Sequence, residues 1–218
     1  MRKLIVLLRK DITLDKANLV IVILLSIGIP IYISYPLQDL GLQKGADIVS
    51  LFLSSFFCFF MSLSKLGMIE DKYRGTAYLT LTPINRRDIV LSKYVFLLLV
   101  FLISLAGYGV SYLVTPFLRQ PLSFTAVVSV WTANILFLSF YIPLELKVGY
   151  ENVKYYITAV TVISPFLIGL IGKYGGPSIF RRFIEDVGNI LPIMMVFSFI
   201  LIAVSYYVSV RIFNAKDL

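Results

Sequence analysis

The side chains of this 218-residue chain that could do chemistry are few, and the longest and most charged segment between its apolar runs is from Lys65 to Lys93. Glu70, Asp71, Lys72, Arg74, Arg86, Arg87, Asp88 and Lys93 gather there around Gly75 and Pro83. A smaller group follows at Glu145, Lys147, Glu151 and Lys154. Charges of both signs at such density suit ionic recognition of a partner. Bond-breaking chemistry finds little support. Proton transfer near neutral pH and zinc binding both draw on histidine, and the chain has none. Its single cysteine, Cys58, is set among phenylalanines and serines, so no disulfide within the chain and no thiol pair for a metal can form. We read Cys58 as packing. The phosphate-cradling pattern G-x-x-x-x-G-K-[ST] is absent, because Gly41 and Gly45 are not followed by the Lys-Ser/Thr pair it needs. H-E-x-x-H and G-x-S-x-G are missing too. No catalytic residue, metal ligand or cofactor is therefore assigned to the chain.

These charges interrupt long apolar runs. The chain is 59% hydrophobic and 15% charged, with a mean hydropathy of +0.89, more apolar than a soluble domain of this size can bury. Crossing a bilayer as a helix takes roughly 20 apolar residues. Six stretches qualify: 18–35, 48–64, 94–115, 123–142, 155–172 and 190–210, none holding Asp, Glu, Lys or Arg. Continuous runs exclude the alternation of barrel strands, so the spans are helices. The expected fold is all-α, an integral membrane protein forming one domain over residues 1–218. Fifteen of the 20 lysines and arginines fall in the segments that share a side with both termini. The positive-inside rule makes that side cytoplasmic. The net charge of +8 thus reflects topology and not a nucleic-acid partner.

Two further helices are expected on the membrane surface. Near the N-terminus Leu4, Ile5, Leu8 and Ile12 share one face, and Arg2, Lys3, Arg9 and Lys10 the other. Because Arg9, Lys10 and Asp11 end the first apolar run early, it is not read as a cleaved signal. Between spans five and six, Ile179, Phe180, Phe183, Ile184 and Val187 oppose Arg181, Arg182, Glu185 and Asp186, with Ser178 and Gly188 as cap and stop. In the stretch 65–93, Thr82-Pro83 breaks one helix, and Asn85 with Asp88 starts the next. A short charged segment held between two spans gives a partner protein something to push.

Glu70, Arg74-Gly75, Tyr78-Leu79, Pro83-Ile84, Arg86, Ile89-Val90 and Lys93 resemble the loop between the second and third spans of type-two ATP-binding-cassette exporter permeases. The stretch from Ile142 to Glu151 is similar to their second cytoplasmic loop. The resemblance implies a six-span permease in a bacterial plasma membrane, paired with an identical or related permease and driven by a separate ATPase that carries ATP and Mg. Carried over residue by residue, it implies coupling roles for Glu70, Asp71, Arg74, Gly75, Pro83, Arg86 and Glu145. Asn85 and Lys93 would shape the loop's exit. Arg74, Arg86, Arg87 and Lys93 could equally serve only as topology determinants.

Phe52, Phe56, Phe59 and Phe60 recur at helical spacing in the second span. They form either a packing strip or an apolar wall for an amphipathic substrate. Ser104, Gly107 and Ser111, and Gly169 with Gly172, allow close helix approach. Chargeless spans disfavour an ion-coupled carrier. The competing reading is a membrane scaffold or sensor that binds a partner through 65–93 and transports nothing.

Overall fold

The structure is a computed structural model that describes the backbone of residues 2–39, 46–73, 85–115 and 122–215, and not the side chains of 2–4, 34–39, 46, 156–157, 160–162 and 164–190. The described residues form helices joined by short connections: α1 (Arg2–Asp39), α2 (Ala46–Lys72), α3 (Arg86–Val114), α4 (Phe124–Val148) and α5 (Tyr150–Asn214). Among the described residues five segments are long and apolar enough to cross a membrane: Ile5–Ile33, Asp47–Lys72, Arg86–Val114, Phe124–Val148 and Leu191–Asn214. The stretch 155–172 lies in the first part of α5, where most side chains fall outside the described set.

Each helix reaches further than its apolar run. α2 continues past residue 64 to Lys72, and α4 past residue 142 to Val148. The charged residues at their ends are therefore helical and point in fixed directions.

The expected surface helix at the N-terminus is corrected. Residues 2–39 form one helix without a break, and its inward face does not follow the expected division, since Leu8 packs against the core while Ile5 and Ile12 are exposed. Leu7, Asp11, Asp15, Asn18, Val22 and Ser26, spaced three or four apart, are buried, whereas Ile5, Val6, Ile12, Val20 and Leu24 are exposed. In a bilayer an apolar face has no reason to turn inward, because the surroundings are equally apolar, while polar groups gain only by meeting one another. The separate helix expected at 178–188 is also absent, since α5 is assigned as helix through that stretch.

α2 is the central element and packs on each of the others, while α1 lies against α2 and α3, and α4 against α5. Small residues set the spacing, as the sequence pattern predicts. A side chain at Gly107 would overlap Ser26, so α3 can approach α1 only with glycine there. Beside it Ser111 Oγ donates to Ile27 O at 2.8 Å. Across the other interface Asn134 Nδ2 donates to Ser55 Oγ at 2.8 Å, tying α4 to α2. Phe59 stacks on Phe101 with centroids 6.5 Å apart, and Phe56 meets Phe137 edge-on at 5.1 Å.

Pro143 lies inside α4. It has no N–H to give to the carbonyl one turn earlier, that of Ser139. The Ser205 hydroxyl of α5 supplies the missing donor at 3.0 Å. Tyr94 of α3 joins at the same point, its hydroxyl 2.6 Å from Ser205 Oγ and 3.2 Å from Ser209 Oγ. A local backbone defect thus becomes a junction of three helices.

Candidate functional site

At one end of the bundle, four helices each contribute a charge to one buried cluster. α1 brings Lys10 and Asp11, α2 brings Glu70, α3 brings Lys93 and α4 brings Glu145. Lys93 is the hub, with Nζ 2.9 Å from Glu70 Oε2 and 3.2 Å from Glu145 Oε1. Lys10 Nζ completes the outer side, 3.0 Å from Asp11 Oδ1 and 3.5 Å from Glu70 Oε1. The side chain of Lys93 is 13% exposed, that of Glu70 11% and that of Glu145 7%. Solvent screening is therefore weak, and loss of one member of such a pair is far more damaging than loss of a surface ion pair.

Leu63, Leu66 and Phe96 close a small pocket around Asp11, Glu70, Lys93 and Glu145. Three carboxylates line the pocket with one ammonium group, that of Lys93. The two carboxylates on Lys93 are not equivalent. Both oxygens of Glu70 are paired, whereas Glu145 Oε2 is buried with no hydrogen-bond partner, as is the Tyr141 hydroxyl one turn earlier on α4.

Asp71, next to Glu70, faces outward, and its Oδ2 accepts from the Glu151 backbone N–H at 3.1 Å. The turn between α4 and α5 beneath it is a single residue, Gly149, at φ 86°, a left-handed region that favours glycine. The stretch expected as a second cytoplasmic loop is thus the last turns of α4, this glycine and the start of α5. A side chain at Gly67 would strike the Tyr150 ring, so α2 and the start of α5 are in close contact. On the exposed side of that turn Lys154 is paired with Glu151, and the Glu151 carboxylate raises the Lys154 ammonium above its usual range.

Arg86 opens α3 and donates from Nη1 to the carbonyls of Phe213 and Asn214 at 2.9 and 3.1 Å. Its guanidinium lies 5.8 Å from the centroid of the Phe213 ring. Asn85 occupies the N-cap position of α3 as expected, but its side chain makes no cap hydrogen bond.

Of the residues singled out from the sequence, the structure brings Glu70 and Glu145 together through Lys93. It places Asp71 and Arg86 separately against the two ends of α5. Arg74, Gly75 and Pro83 lie outside the described residues. Phe56 and Phe59 are buried in the packed core, and Phe52 and Phe60 are half-buried on its flank.

Lys10, Asp11 and Tyr141 are the members of the cluster that inspection of the loop does not find. The signal for Asp11 is present all the same. Asp11, Asp15 and Asn18 form a polar stripe at helical spacing on an otherwise apolar helix, a pattern that marks an inward face in a membrane protein.

A family model described as ABC-2 family transporter protein matches residues 6–214 of the chain. No curated protein and no solved structure matches it.

Proposed function

The chain belongs to the ABC-2 transporter family, a family of membrane transport components, and from that premise we propose that it is the permease subunit of an ATP-binding-cassette exporter. ATP and Mg would be bound by a separate ATPase, docked on the cytoplasmic side where both termini lie. Family membership carries the transport reading. The ion cluster carries the placement of coupling, because Lys93 joins the ends of α2, α3 and α4 and Lys10 adds α1.

Six crossings remain the arrangement we favour, and the two ends of α5 support it. A straight helix of 65 residues would be roughly 97 Å long. The chain from Asp71 to Arg86, even fully extended, reaches at most roughly 55 Å. Yet Asp71 holds one end of α5 and Arg86 the other. An outward and a return crossing within α5 accommodate both contacts.

For the substrate we propose amphipathic peptides or similarly hydrophobic compounds, moved out across the plasma membrane by a pair of permeases, identical or related. The two cytoplasmic stretches resemble those of the staphylococcal permease that exports phenol-soluble modulins, which are short amphipathic cytolytic peptides. Phe52 and Phe60 would offer the apolar wall, backed by Phe56 and Phe59. Arg74, Gly75 and Pro83 would belong to the segment that meets the ATPase, with Glu70, Asp71, Arg86 and Glu145 passing its motion inward.

The test is co-purification. The detergent-solubilised chain should bring down a soluble ATPase containing G-x-x-x-x-G-K-[ST], and ATP hydrolysis should require that subunit. Hydrolysis by the isolated chain, surviving removal of contaminants, would refute the permease assignment.

A further inference from the structure

Two contacts outside the ion cluster share a feature that their positions in the chain conceal. Asp71 stands in the last turn of α2 and accepts from the N–H of Glu151, the second residue of α5, at 3.1 Å. Arg86 is the first residue of α3 and donates to the carbonyls of Phe213 and Asn214, the last two residues of α5, at 2.9 and 3.1 Å. The first four N–H groups and last four carbonyls of a helix lack partners within it, so these are the groups a neighbour can grip. The signs are also right, a carboxylate at the positive N-terminal end and a guanidinium at the negative C-terminal end.

The grips are anchored. Asp71 adjoins Glu70, which both lysines of the ion cluster hold. Arg86 lies two turns before Lys93 on the same helix. Gly67 brings α2 against Tyr150 so closely that no side chain fits between them. Each of the two crossings within α5 is thereby tied at the end that meets α2 or α3, and that end must follow its neighbour when the neighbour moves.

We infer that Asp71 and Arg86 are positioning residues that make both ends of α5 move with the cytoplasmic ends of α2 and α3. The inference rests on the permease reading above and adds to it where the motion goes. An ATPase acting on the connection between α2 and α3 would shift both of these ends of α5 together, and with them the interface that α5 shares with α4.

The experiment uses the full chain in complex with its co-purifying ATPase, with Cys58→Ala as background. Nitroxide pairs are placed at Tyr73→Cys with Asn152→Cys, at Arg87→Cys with Asn214→Cys, and, as a reference at the far end of α1 from the ion cluster, at Tyr32→Cys with Asn152→Cys; all these positions are exposed. Between the nucleotide-free and ADP-vanadate states the reference distance should shift while the two gripping pairs keep theirs. Asp71→Ala should release the first pair and Arg86→Ala the second. In each case ATP hydrolysed per molecule of a fluorescent amphipathic peptide exported should rise about tenfold. Asp71→Asn keeps an acceptor and Arg86→Gln keeps a donor, so both should restore the wild-type distances, which a role in folding alone would not require. Gripping pairs that change distance during turnover in the wild type, or alanine variants with unaltered coupling, overturn the inference and leave the permease reading standing. Failure of any ATPase to bind the wild-type chain overturns both.

Discussion

Replacing Lys93 by methionine keeps the length of the side chain and removes the charge that holds α2, α3 and α4 together. It leaves Glu70 and Glu145 facing each other, with Lys10, 3.5 Å from Glu70, as the nearest remaining cation. Removing one member of a buried ion pair costs about 3 to 5 kcal/mol, because the partner's charge stays buried. The two carboxylates should differ. Glu70 has both oxygens engaged, so Glu70→Gln gives up charge-assisted contacts worth about 1.5 to 3 kcal/mol. Glu145 has one oxygen paired and one buried without a partner, so Glu145→Gln removes a contact and a desolvation penalty together. Its net cost should stay below about 1.5 kcal/mol. The new amide also places a hydrogen-bonding group near the Tyr141 hydroxyl. In the double variant Lys93→Met/Glu145→Gln the two losses should overlap, with an interaction energy of about 1 to 3 kcal/mol. Reversible unfolding in mixed micelles measures this through the single tryptophan, Trp131, which packs on Phe101 with centroids 4.9 Å apart. Wild-type stability in Lys93→Met, or equal losses for Glu70→Gln and Glu145→Gln, would refute the reasoning. Lys93 would then be only a topology charge at the membrane edge.

Three further outcomes are expected. Gly107→Val should separate α1 from α3 and cost about 1 to 3 kcal/mol, because the new side chain meets Ser26, while Gly109→Val, which faces open space, should be close to neutral in the same unfolding assay. Ser205→Ala should cost about 1 to 2 kcal/mol by stripping the Ser139 carbonyl at Pro143 of its donor and Tyr94 of its partner, with Ser198→Ala, whose hydroxyl bonds only within its own helix, as control. Cysteines introduced at Gln43 and Ser178 should react with an impermeant thiol reagent from outside the cell and one at Thr76 should not; the opposite pattern would reverse the proposed topology.

Much of the fold is legible in the sequence because a bilayer makes it so. Every run long enough to span must be helical, and the residues at its ends must explain their charges, so the positions of α2, α3 and α4 follow from hydropathy alone. The close approach at Gly107 follows from small residues at helical spacing. Helix length beyond the apolar run does not follow. Residues 65–72 and 143–148 are too polar to count as span, yet they continue the helices because their charged side chains find partners across the bundle. Glu70 shows how this changes a reading. From the loop alone it stands as a charge without a topological purpose, and a partner protein is the obvious explanation. In the structure both of its oxygens are engaged inside the bundle.

The same physics explains why the ion cluster is hard to see in one dimension. Its members lie at positions 10, 11, 70, 93 and 145, on four helices, and no spacing rule connects them. Each alone is a charge near a membrane boundary, where charges are ordinary. What distinguishes them is the face they occupy. On α1 that face is set by Asp11, Asp15 and Asn18, all buried, against a lipid side of Ile5, Ile12, Val20 and Leu24. In water the apolar face of a helix finds the core. In a membrane the polar face does, because lipid satisfies the apolar side and offers nothing to a carboxylate. Read with that inversion, the polar stripe of α1 points inward from the sequence alone, and Asp11 faces the place where Glu70, Lys93 and Glu145 meet. With its helices joined at one end by charge, and elsewhere by serine hydroxyls and glycine contacts, the bundle gathers its ionic ties at the end that the proposed function assigns to the ATPase. Force applied at that end therefore moves several helices before it is lost in any one of them.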